Sequence, residues 1–61
     1  MKVVIINLTG FNQYVDLDGN ADTNDIVAVG PREKVKVDIP NEKRFIEISK
    51  MFAKKLAIKK L

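Results

Sequence analysis

The chain has sixty-one residues, with eleven Lys and Arg against eight Asp and Glu, a net charge of +3, and neither Cys nor His. Those two absences exclude a disulfide staple, the usual zinc ligand set and every Cys or His nucleophile or base. A chain this short buries only roughly 60% of the surface its unfolded form exposes, so one marginal core is expected, with a partner subunit as the remaining source of stability.

Lys2 to Leu8 (KVVIINL) is a β-branched run with apolar residues on both faces between Val3 and Ile6, the pattern of a central strand covered on two sides. The same run is too short for a signal peptide or a bilayer span, so a soluble chain, intracellular at synthesis, is expected. Thr9 to Asn12 reads as a turn, after which Gln13 to Leu17 alternates, with Val15 and Leu17 on one face and Tyr14 and Asp16 on the other. Phe11 and Tyr14 are the candidate interface residues, because an aromatic ring near a turn buries a large area for few frozen torsions. For Phe11 the alternative is that its ring folds back to close the hairpin mouth.

The next stretch, DLDGNADTND, puts Asp16, Asp18, Asn20, Asp22 and Asn24 at every second position, as a calcium loop spaces its oxygen ligands. An EF-hand loop begun at Asp16 needs Gly at its sixth place and a bidentate Glu at its twelfth, and those places hold Ala21 and Val27. Strands flank the stretch, and Asp18-Gly19 is a hairpin pair. It therefore reads as a connection with a solvated acidic surface, its Asp and Asn side chains capping local backbone groups.

Ile26 to Val29 is a third strand, closed by Gly30-Pro31, a turn signal because Gly tolerates positive φ and Pro fixes its own. Glu33 to Ile39 alternates with Val35, Val37 and Ile39 inward. Pro40 ends the strands and Asn41 is a predicted N-cap, with Glu42 near the positive end of the helix dipole. From there Phe45, Ile48, Phe52 and Leu56, with Met51 beside them, form an apolar stripe on a helix running from Asn41 to about Lys55. This helix and the strand from Glu33 to Ile39 are expected to form the core between them. Leu56 to Leu61 has no preceding Gly or Pro, yet it alternates, so a strand returning to the sheet edge is preferred to continued helix.

Charge is placed unevenly: residues 1–31 carry a net −3 and residues 41–61 a net +5. Such a polar molecule attracts copies of itself head to tail, or lays its basic end on an acidic surface. Lys50, Lys54, Lys55, Lys59 and Lys60 are the candidate basic surface. Catalysis has few means: the only Ser, Ser49, lies within the helix, Gly10, Gly19 and Gly30 stand too far apart to cradle a phosphate, and an exposed Asp16 and Asp18 pair stays ionised. No catalytic residue, cofactor or metal is expected, and the chain reads as a non-enzyme.

The order KVVIINLTG, QYVDL, DIVAVGPREKVKVDIP, then an amphipathic helix and an apolar-basic tail resembles the small structural proteins of tailed-phage virions. Asn7-Leu8-Thr9-Gly10 and Gly30-Pro31-Arg32-Glu33 carry the likeness. The acidic stretch 18–25 and the lysine-rich tail depart from it. The resemblance implies a non-enzymatic subunit of a phage particle, made in the host cytoplasm and present in many copies, cementing or decorating a larger protein lattice, with contact surfaces instead of an active site and no membrane partner. The competing reading is a small nucleic-acid-binding module acting through its basic C-terminal helix. The expected fold is α+β and a single domain over residues 1–61: a small, mainly antiparallel sheet of four or five strands, or a partly open barrel, with one C-terminal helix.

Overall fold

The computed structural model describes residues 1–20, 22–23 and 25–61. In chain order the elements are β1 (Lys2–Asn7), β2 (Gln13–Asp16), β3 (Ile26–Val29), β4 (Lys34–Asp38), α1 (Glu42–Met51) and β5 (Leu56–Lys60). The fold is small α+β, and among the described residues every strand pairs antiparallel with no closure into a barrel. The strands divide into a three-stranded sheet of order β4-β1-β5 and a β2-β3 hairpin. The division follows from β1 having only two hydrogen-bonding edges. β4 and β5 occupy both, with Ile5 opposite Val35 on one side and Ile58 on the other.

Alternation then sorts the side chains of the larger sheet. Val3, Ile5, Val35, Val37, Leu56 and Ile58 share the inner face, because their registers place them opposite one another. The buried core is Val3, Ile5, Val15, Leu17, Val29, Ile39, Ile48 and Leu56, so the hairpin and one helical residue complete what β1 begins. β4 and α1 were expected to supply the centre of the core. Of those elements and their flanks only Ile39 and Ile48 are fully buried, while Val35, Val37, Phe45 and Phe52 pack around the rim and Met51 is exposed. The reason is position: β4 is an edge strand, and the centre of the molecule belongs to the strand paired on both sides.

The helix starts where the sequence predicts. Asn41 has extended backbone and its Oδ1 accepts the Arg44 amide at 2.9 Å, while Glu42 occupies the first turn. It ends at Met51, earlier than the apolar stripe suggests. The Lys55 amide bonds the Phe52 carbonyl at 2.9 Å, closing a turn in which Lys54 has φ 71°. A left-handed residue there reverses the chain, and Leu56 opens β5 instead of a further helical turn. The preferred returning strand is the one found, and the helix is therefore followed by a strand instead of closing the chain.

The turn 30–33 is tight in the same way. The Glu33 amide bonds the Gly30 carbonyl at 3.1 Å, and the positive φ falls on Arg32, at 62°, instead of on Gly30. A Cβ at Gly30 would stand 1.7 Å from Glu33 Oε1 and would displace that exposed, flexible side chain.

Candidate interaction surfaces

The acidic stretch has the hydrogen bonding of a connection. The Gly19 amide donates to Asp16 Oδ1 at 3.1 Å, the Asn20 amide to Asp18 Oδ1 at 2.9 Å, and the Asp22 amide to Asn20 Oδ1 at 2.9 Å. The Thr23 hydroxyl donates to Asp18 Oδ2 at 2.5 Å. That bond, and after it the Asn20 amide, holds the Asp18 carboxyl below its ordinary pKa. Both Asp18 oxygens are thus engaged by the loop itself.

Arg44 adds a cation of its own. Its side chain is only 12% exposed, its Nη2 donates to the Asp16 carbonyl at 2.6 Å, and a Cβ on Gly19, whose φ is +70°, would meet the guanidinium carbon at 3.1 Å. The glycine thus permits both the left-handed bend and the close approach of the arginine. A guanidinium in this position repels a second cation. Among the described residues no group of three His, Cys, Asp or Glu is arranged to hold a metal ion. Asn24, one of the spaced oxygens, and Ala21 lie outside the described residues.

At the other end of the hairpin, Asn7 organises the junction of the two sheets. It is 1% exposed, and its Nδ2 donates to the carbonyls of Phe11 at 2.7 Å, Val29 at 3.0 Å and Gly30 at 3.0 Å. Its Oδ1 accepts the Thr9 amide at 2.8 Å and the Thr9 hydroxyl at 2.7 Å. Sequence reasoning reads Asn7 only as part of a turn motif and misses this role. The available signal was an Asn at the inward-facing position of a buried strand, where a polar side chain needs several partners.

This junction fixes the backbone of Phe11, and the residue is 75% exposed, so it does not fold back over the hairpin mouth. Tyr14 is 63% exposed on the outer side of β2, opposite Ala28. Both aromatic candidates are available to solvent.

The five candidate lysines do not make one surface. Lys60 lies on the inner face of β5, where its Nζ is 2.6 Å from a Glu42 oxygen and 5.3 Å from the Phe45 ring centroid. Lys59, its neighbour, lies on the outer face opposite Val4. Lys50, Lys54 and Lys55 belong to the last helical turn and the following turn, all exposed.

Lys59 shares its face with residues outside the candidate basic surface, among them Lys34, Lys36 and Asp38, whose alternation in the sequence points them outward. Lys2, Val4 and Ile6 of β1, Lys34, Lys36 and Asp38 of β4, and Ala57 of β5 all point outward by register. Val4 and Ile6 stay half-buried there between lysine side chains, and an open groove runs over them, lined also by Lys34, Lys36, Lys59 and Leu61. Helix and hairpin both pack on the inner face, so the strand expected to be covered on two sides is covered on one. No helix among the described residues is long and apolar enough to cross a membrane. No protein-family model, curated protein or solved structure matches this chain.

Proposed function

We propose that the chain is a non-enzymatic structural subunit that works by contact with protein neighbours, using the outer face of the three-stranded sheet. One observation carries this reading: β1 is apolar on both faces, yet only its inner face is covered. An aliphatic centre within a charged border has the layout of a protein interface. The border holds Lys2, Lys34, Lys36 and Lys59 against the single acid Asp38, so the complementary surface is acidic. The face has no aromatic residue on which a base could stack. Lysines on β4 and β5 also discourage edge-to-edge pairing.

The phage-particle setting rests on the likeness of the turns at Asn7–Gly10 and Gly30–Glu33, and the many-copy role in cementing or decorating a lattice follows from it. Quantitative mass spectrometry of gradient-purified particles from cells that make the chain tests this setting. Many copies per particle are expected. A chain left wholly in the soluble fraction would remove the virion reading.

A further inference from the structure

The topology gathers positive charge at one end of the molecule. The Asn7 amide donates to the Glu33 carbonyl at 2.8 Å and the Leu8 amide to the Lys55 carbonyl at 2.9 Å, so the turns 30–33 and 52–55 flank the end of β1 from opposite sides. Their left-handed residues are Arg32 and Lys54. Lys34 and Lys55 adjoin them, and Glu33, the one acid in these turns, lies folded against Gly30. Among the described residues none of these four bases enters an ion pair. The loop 8–12 leaves β1 between the turns and carries the exposed Leu8 and the exposed Phe11, whose carbonyl is tied to Asn7.

Some of this charge has a plain structural use, since Lys54 and Lys55 follow the negative end of the helix dipole. That does not account for Arg32 or for the choice of residue at the two left-handed positions. Arg32 and Lys54 are the only non-glycine residues with positive φ among those described, and both are long cations where glycine costs least. Non-glycine residues held at positive φ cluster at functional sites, and that motivates a functional reading of these two turns. A positive surface with an exposed aromatic ring is the combination that holds single strands, the charge tracking phosphates and the ring stacking on a base.

We infer that this end of the sheet, formed by the loop 8–12 and the turns 30–33 and 52–55, binds single-stranded nucleic acid. Arg32, Lys34, Lys54 and Lys55 contact phosphates and Phe11 stacks on a base. The site shares Lys34 with the border of the outer sheet face, but the residues that test it, Arg32, Lys54 and Phe11, lie outside that face, so it stands or falls apart from the structural-subunit reading.

Fluorescence anisotropy of the whole protein with a labelled short oligo-dT, across a salt series, tests it. Wild type should bind with log affinity falling linearly in log salt. The Arg32→Gly/Lys54→Gly variant relieves two strained positions and should melt no lower than wild type, yet bind at least about fivefold more weakly, with a salt slope shallower by roughly 1.4 for two lost phosphate contacts. Phe11→Ala should lose about fivefold in affinity with its slope unchanged, because stacking is not ionic. No binding by wild type at low salt, or wild-type affinity in the folded double-glycine variant, would overturn the site. Equal competition by polyglutamate, with Phe11→Ala binding as wild type, would overturn the nucleic-acid assignment in favour of an acidic protein.

Discussion

Asn7 does at one position what several residues share elsewhere, because its amide group reconciles three carbonyls with two donors in a place water does not reach. Leaving such buried groups unpaired costs ~1–3 kcal/mol, and more when a charge is involved. Asn7→Leu should therefore destabilise by about that much in urea unfolding. Asn7→Asp should cost more, since it turns a carboxylate oxygen toward three carbonyls; equal stability of the two variants would contradict the hydrogen-bond account. Asp18 gives a second residue-scale expectation, with a definite sign. Its folded pKa is lowered, chiefly by Thr23, so its contribution is present above the ordinary aspartate value and is lost as pH falls through the lowered one. In an acid titration followed by NMR, the Asn20 amide should shift below the usual carboxylate range, and Asp18→Asn should abolish that shift. A titration at the ordinary value would show the loop to be loose. The sequence makes Asn41 readable because a cap sits directly before its own helix, whereas the partners of Asn7 lie up to 23 positions away and no local pattern announces them.

Elements were legible wherever alternation or spacing decided them. All five strands follow the apolar patterns closely, with ends shifted by a residue at most, and the period-2 reading of residues 56–61 identifies β5. The end of the helix was not legible in the same way, since it depends on Lys54 adopting φ 71° without a Gly to signal it. The depth of each element was obscured too. The stripe Phe45, Ile48, Phe52 looks uniform, but only pairing order makes β1 central and β4 peripheral, leaving Ile48 buried and Phe52 at the rim. Truncation should reproduce this order. Ile48→Ala should cost ~2–5 kcal/mol, most of what a small domain has, while Phe52→Ala should fall below the ~3–5 kcal/mol of a fully buried ring and leave the protein folded. Chemical denaturation of both variants checks this, and a larger loss for Phe52→Ala than for Ile48→Ala would mean that the helix is rotated about its axis.

At the scale of the whole molecule, the uneven charge in the sequence becomes a spatial arrangement with three separate parts. The acidic hairpin connection is held by Arg44 near the start of the helix, the basic turns lie at the opposite end of the sheet, and the lysine-bordered apolar face lies along one side. The sequence showed that Val3 to Ile6 is apolar in both directions. It could not show that the helix and hairpin would both go to one side, because that choice is made by long-range packing against Val3 and Ile5. An uncovered Val4 and Ile6 are central to the proposed role, and a Val4→Ser/Ile6→Ser variant addresses them directly, since outward serines leave the inner core intact. The most direct measurement is the copy number of this variant in purified particles, relative to wild type, after its melting curve has been shown to match. The account predicts near-complete loss of incorporation with folding retained; incorporation at the wild-type copy number would contradict it and remove the outer face as the contact surface.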